Sequence, residues 1–266
     1  MSLADAHPFR TADFVSPHPE ESTAYIVLLM ERMAEIAREL DRSQDAEEFS
    51  RCAGAAREGY QALVRTQKHS LDTDRQAKLV RPLFMKLLDE EQTGYARKRL
   101  LQALENYDWR LGTGFVNPTP FYVPKIRIRY AYRLLENQEL PGWLCMPKLG
   151  ATTIWENWEG TESDAPTSLN HYSKGAVIQW VFDTMCGIRL GGENEFIIAP
   201  RPGGHFTSAK AEYASVYGKV SCGWKRSSEG LKFEVAIPAN CRALVRLPDG
   251  SEQEQAAGER RYFIAQ

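Results

Sequence analysis

The sequence has no apolar run approaching the length of a bilayer span, and its first residues lack the basic and apolar regions of a secretion signal. Neither a membrane partner nor export is expected from what is present, and the expected location is cytoplasmic. There is no concentration of basic charge either. The 33 Lys and Arg residues are scattered among 35 Asp and Glu, giving a net charge of −2. A nucleic-acid binder needs a basic face, so nucleic acid is excluded as a partner. Cysteine is scarce: Cys52, Cys145, Cys186, Cys222 and Cys241 are odd in number, widely spaced and form no CxxC pair. That argues for reduced thiols and against a disulfide framework or a zinc site. No metal and no cofactor is expected. What the 266 residues do have is a 43% apolar content, enough for a substantial core in one large domain or two ordinary ones.

Residues 1–20 are rich in Pro and His and read as irregular. A helix is expected from about Ser22, with Glu20 and Glu21 at its positive end. Ile26, Leu29, Met30, Met33, Ile36, Ala37 and Leu40 recur on it at helical spacing as one apolar stripe. Ser43 is an N-cap for the next helix, with Ala46, Phe49, Ala53, Ala56, Tyr60 and Leu63 as its apolar positions. So short a link predicts an antiparallel hairpin. A third helix is expected over Gln76–Leu88, kinked or ended early by Pro82, and a fourth from Asp89 to Tyr107. The Gly- and Pro-rich loop Gly112–Pro120, with Phe115 inside it, reads as the rim of a cleft. A fifth helix is expected around Val123–Asn137, and a long amphipathic helix capped by Ser168 and reaching about Gly187.

After Gly191-Gly192 the period changes. Short runs at Phe196–Ala199, Ala211–Ala214, Lys219–Trp224, Lys232–Ile237 and Ala243–Leu247 alternate with Gly, Pro, Ser and Asn, the pattern of a small antiparallel β-sandwich. Two domains are therefore expected, residues 1–192 and 193–266. Paired helices suggest an α/α toroid, and a bundle or a solenoid fits the periodicity equally well.

One stretch stands apart chemically. In Ile154-Trp155-Glu156-Asn157-Trp158-Glu159-Gly160 a carboxylate sits between two indoles. Indole faces stack on sugar rings, and a carboxylate between them can act on the reactive carbon. The same composition suits two core tryptophans beside a structural ion-paired acid, and on residues alone the two readings stay open.

Six motifs in the same order carry a resemblance. They are Thr113–Pro120 (Thr-Gly-Phe-Val-Asn-Pro-Thr-Pro), Ala131–Leu135, Pro141–Leu144, Gly150–Trp158, Ser168–Tyr172 (Ser-Leu-Asn-His-Tyr) and Ile198–Gly204. Together they resemble the C-terminal part of the bacterial α-L-rhamnosidases of glycoside hydrolase family 78. The resemblance implies a catalytic (α/α)6 barrel followed by a β-sandwich, and inverting hydrolysis of terminal α-L-rhamnose from a rhamnose-containing carbohydrate. By the same resemblance Glu156 is the general base and His171 contacts the sugar. Trp155 and Trp158 would wall the subsite and Phe115 would line the cleft. The Asp72–Gln76 segment matches, loosely, a turn that faces the pocket.

The resemblance also marks a departure. The family's general acid lies on an earlier loop rich in Arg, Asp and Trp-Gly-Asp, and these residues contain no such loop. Asp13, Glu20 and Glu21 stand in the wrong context. About six long helices are expected where a full toroid needs twelve. The chain thus reads as the second half of the barrel plus the sandwich, inactive alone, completed by the missing N-terminal half or by a second copy of itself. Two other classes stay in view: a non-catalytic sugar-binding or scaffold protein on the same fold, and a polysaccharide lyase on an α/α toroid. The absence of a basic cleft motif counts against the lyase.

Overall fold

The computed structural model describes residues 19–66, 71–112, 127–162 and 167–265. Contacts divide them into two compact units. The first holds the helices up to residue 112 together with Glu139–Cys145; the second holds Arg127–Gln138 and the chain from Met146 onward.

In the first unit, helix α1 (Pro19–Glu39) and helix α2 (Ser43–Thr66) form the expected hairpin. Ion pairing between Arg57 and Glu31 (2.5 Å) and a hydrogen bond from Arg38 to Ser50 (2.9 Å) run antiparallel across it. The turn is a Schellman motif: the Asp41 N–H donates to the Arg38 carbonyl (3.1 Å) and the Arg42 N–H to the Ala37 carbonyl (2.8 Å). Asp41 takes the left-handed position at φ 56° that glycine more often fills. The two helices meet through small residues: Ala24, Val27, Ala34 and Ala37 on α1, Ala46, Ala53 and Tyr60 on α2. The stripe expected as a single face is therefore divided. Ala37 is buried in the hairpin, whereas Ile26, Leu29, Met33, Ile36 and Leu40 lie on the outer side.

Helix α3 (Gln76–Phe84) stops two residues after Pro82, the early end expected of it. Its basic residues reach the acidic first turn of α1, Lys78 to Glu20 (3.0 Å) and buried Arg81 to Glu21 (2.5 Å). Helix α4 (Glu90–Asn106) starts on a complete capping box. The Gln92 N–H donates to Asp89 Oδ1 (2.8 Å) and the Asp89 N–H to the Gln92 side chain (3.3 Å). No helix among the described residues is long and apolar enough to cross a membrane.

The second unit contains helix α5 (Ile128–Leu135), the part of short helix α6 (Cys145–Lys148) from Met146 on, and the one-turn helix α7 (Val177–Trp180). Among the described residues its six strands are β1 (Ile188–Gly192), β2 (Glu195–Ile198), β3 (Ser208–Ser215), β4 (Gly218–Ser227), β5 (Gly230–Arg246) and β6 (Glu252–Ala265). They join in one sheet ordered β1-β2-β5-β4-β3, with β6 also on β5. Pairing is antiparallel except for β2 beside β5. The long strand β5 carries two expected runs, one on each side of an irregularity between Ile237 and Arg242; its first half pairs with β4 and its second with β2. On β6 a buried amide replaces an apolar pattern. Gln255 donates to the Val235 and Gly258 carbonyls (3.3 and 3.0 Å) and accepts from the Tyr262 hydroxyl (2.7 Å).

The long helix expected from Ser168 to Gly187 does not form. Ser168–Tyr172 is irregular, followed by a 3-10 turn at Ser173–Ala176, α7, and a π turn at Val181–Met185. Ser168 does not cap a helix because its groups are engaged elsewhere. Its N–H goes to Glu156, and its hydroxyl exchanges hydrogen bonds with the Asn170 backbone (3.0 and 3.2 Å). Further on, the Thr184 carbonyl accepts from the Arg201 N–H (3.0 Å) and the Met185 carbonyl from the Trp224 indole (2.9 Å). Both carbonyls fall in the last turn of the expected helix, where they would have no internal donor, and tertiary donors satisfy them.

Candidate functional site

Glu156 and His171 lie in two irregular segments of the second unit, held together like a short antiparallel ladder. The Glu156 N–H donates to the Ser168 carbonyl (2.9 Å) and the His171 N–H to the Ile154 carbonyl (2.7 Å). The Thr153 hydroxyl adds a bond to the Leu169 carbonyl. The link at Glu156 runs both ways, because the Ser168 N–H donates back to Glu156 Oε2 (2.9 Å). One carboxylate oxygen is thereby fixed, while Oε1 takes no hydrogen bond among the described residues. A carboxylate held at one oxygen and open at the other can orient a water and accept its proton.

His171 has a defined tautomer. The Ser173 N–H donates to Nδ1 (3.3 Å) and the Ser173 hydroxyl stands 2.9 Å from the same nitrogen. Nδ1 is therefore an acceptor, and in the neutral ring the proton is on Nε2. The ring stacks on exposed Tyr172 at 5.2 Å between centroids.

Both tryptophans are buried. Trp155 packs its six-membered ring on Gly160, which sits at φ 55°; a Cβ there would meet Trp155 Cδ2 at 2.6 Å and two further ring atoms closer still. Trp158 carries the Lys174 ammonium over its ring at 4.5 Å. The same ammonium donates to the Glu156 carbonyl and lies 3.5 Å from the Trp155 carbonyl. Lys174 thus ties the backbone carbonyls of Trp155 and Glu156 to the Trp158 indole. Sequence inspection passes over it because a lysine two residues beyond a histidine motif looks like a solvated surface charge.

Phe115, Asp13 and the motif Thr113–Pro120 lie outside the described residues. In the first unit Asp72 and Asp74 pair with Arg99 (3.3 and 2.9 Å). Gln76, fully buried, clamps the backbone leading to the Thr113 motif: it donates to the Arg110 carbonyl (2.8 Å) and accepts from the Gly112 N–H (2.9 Å). The motif at Ile198–Gly204 serves packing in the second unit. The Tyr132 hydroxyl donates to the Arg201 carbonyl (2.5 Å), and a Cβ at Gly203 would strike the Tyr132 ring. That close backbone approach is why two glycines stand together there. No three His, Cys, Asp or Glu side chains gather as a metal-holding group among the described residues.

The chain is 32% identical over 245 residues to an alpha-L-rhamnosidase of Streptomyces avermitilis, covering 88% of this chain and 24% of that protein. It is 29% identical over 280 residues to one from Formosa agariphila, covering 96% of this chain and 30% of the other. The chain therefore spans less than a third of these relatives. The crystal structure of the Streptomyces avermitilis enzyme complexed with L-rhamnose superposes with a TM-score of 0.79 at 29% identity, over 91% of this chain and 26% of that one. The alpha-L-rhamnosidase from Dictyoglumus thermophilum, at 22% identity and a TM-score of 0.81, shares the fold. Residues 192–262 match the bacterial alpha-L-rhamnosidase C-terminal domain. Residues 10–185 match the bacterial alpha-L-rhamnosidase 6 hairpin glycosidase domain, and to that family of glycosidases the chain belongs.

Proposed function

We propose that this chain carries the base side of an inverting glycosidase that removes terminal α-L-rhamnose. Glu156 is the general base: Oε1 takes the proton of a water as the water's oxygen bonds to the anomeric carbon. The bond from that carbon to the departing oxygen breaks on the opposite face, and a second carboxyl group protonates the leaving oxygen. That acid belongs to a segment outside these residues. His171 donates from Nε2 to a sugar hydroxyl. Trp155 and Trp158, both buried, wall the subsite behind the carboxylate. The observation that carries the reading is the two-way link between Glu156 and Ser168, which fixes one carboxylate oxygen and leaves the other open beside the His171 segment.

In a protein that includes the acid-bearing segment, Glu156→Gln lowers kcat by at least ~10²-fold while L-rhamnose affinity stays nearly constant. The present chain alone shows no hydrolysis of an aryl α-L-rhamnoside above background. A Glu156→Gln enzyme keeping most of its turnover removes Glu156 from the chemistry. Turnover by the chain alone, abolished by that substitution, places the acid within it.

A further inference from the structure

Glu156 sits outside any helix or strand, so its backbone lacks the regular ladder that fixes such groups elsewhere. Its N–H nonetheless donates to the Ser168 carbonyl (2.9 Å), and its own carbonyl accepts from the Lys174 ammonium. Among the described residues no backbone N–H reaches that carbonyl. The same ammonium lies 3.5 Å from the Trp155 carbonyl and 4.5 Å from the centre of the Trp158 ring. Lys174 thus directs a half-buried charge at the backbone behind the carboxylate. We propose that Lys174 is a positioning residue for the general base, an inference that rests on Glu156 being that base.

The two peptide planes flanking the Glu156 Cα are each held, one by Ser168 and the other by Lys174. With both planes fixed, φ and ψ have little freedom, so the direction in which the side chain leaves the backbone is set. The Ser168 N–H then holds Oε2 (2.9 Å), which defines where Oε1 points. Without Lys174 one plane is free to turn, and the carboxylate turns with it. A reacting group misplaced by about 1 Å can lose ~10²-fold in rate. Lysine suits the task, because a compact ammonium with three donors can serve two carbonyls while an indole face adds attraction. Its place in the chain matters as well. Lys174 belongs to the 3-10 turn Ser173–Ala176, whose first residue holds the His171 ring at Nδ1 (Ser173 hydroxyl, 2.9 Å). One turn therefore sets the imidazole and the carboxylate in fixed relation, as two groups acting on one sugar ring require.

In a protein that includes the acid-bearing segment, Lys174→Met removes the ammonium and keeps an unbranched stem. Expected is a fall in kcat of ~10-fold or more with KM changed less than about threefold, because alignment of the base is lost and binding is not. Lys174→Arg, which keeps a cation and its donors, recovers most of the loss. In a Glu156→Gln background Lys174→Met lowers kcat by less than about twofold, since a residue acting through Glu156 has nothing left to position. Urea denaturation of each variant gives the folded fraction under assay conditions. Normal kcat in Lys174→Met beside a collapse in Glu156→Gln overturns the proposal and leaves Glu156 as the base. Normal turnover in Glu156→Gln removes the base itself, and the proposal with it. A rise in KM at constant kcat means that Lys174 touches the sugar. A kcat that falls only with the folded fraction means that it holds the fold, and an equal fall in the Glu156→Gln background means that it acts apart from Glu156. Each of these three results overturns the proposal.

Discussion

Gly160→Ala tests whether the Trp155–Glu156 segment depends on one close contact. Gly160 has φ 55°, where an L side chain costs roughly 1–2 kcal/mol in backbone energy. The added methyl would lie 2.6 Å from Trp155 Cδ2, so the indole must move as well. Overpacking of that kind adds about 1–3 kcal/mol. The sum, ~2–5 kcal/mol, is a large share of the total stability of a domain. For a unit of this size it lowers Tm by roughly 5–15 °C. Gly150→Ala is the internal control. Gly150 has φ 88° but nothing within 4 Å of the added carbon, so it bears the backbone cost alone. Urea denaturation followed by tryptophan emission should rank the parent above Gly150→Ala and Gly150→Ala above Gly160→Ala. L-rhamnose affinity, if Glu156 and His171 bind it, should fall only in Gly160→Ala. Equal stability of the two variants would refute the argument, since Trp155 would then not rest on Gly160.

His171→Ala, in a protein with its general acid, raises KM and lowers kcat/KM together, by the ~1 kcal/mol or somewhat more of one buried hydrogen bond; unchanged kinetics leave His171 a purely structural residue. Gln76→Leu strands the Arg110 carbonyl and the Gly112 N–H, and urea titration should find a loss of about 1–3 kcal/mol for each buried group left unpaired. Thiol titration at pH 8 should find Cys52 alone reacting quickly, because it is exposed and the other four cysteines are buried. Burial raises the Cys186 thiol from 9.0 to about 11, so between those values the folded chain keeps a proton that the unfolded chain has lost. Stability from this group is complete below pH 9 and falls as pH rises toward 11, a trend that denaturation at stepped pH can follow.

Elements that depend on nearest neighbours in the chain were legible in the amino-acid order. Asp89 with Gln92 three residues on announces the start of α4, and Pro82 announces the end of α3. The runs that became β2 to β5 were visible because each is bounded by turn residues. The order of motifs pointed to the glycosidase family, which the comparisons then showed. What local pattern could not carry was the choice among partners. On α1 two apolar faces compete. The small residues Ala24, Ala34 and Ala37 go inward because they let the α2 backbone come close, while the larger Ile26, Leu29 and Ile36 stay outside.

The same limit explains the segment after Ser168, whose apolar spacing suits a helix. The backbone groups at its two ends bond partners far away in sequence: the N–H groups of Ser168 and His171 go to Glu156 and Ile154, and the carbonyls of Thr184 and Met185 accept from Arg201 and Trp224. Strand β6 begins with the polar run Glu252–Gln255 and gains its place from pairing along β5 and from the buried Gln255–Tyr262 bond. The sequence by itself determined which residues could do chemistry, since a carboxylate and an imidazole are properties of single side chains. Only the tertiary structure decided that Ser168 holds Glu156 Oε2 and that Lys174 binds the carbonyl behind it. Those are facts of distance between segments, and hydrogen bonds fall off too steeply with distance and angle for residue order to predict them.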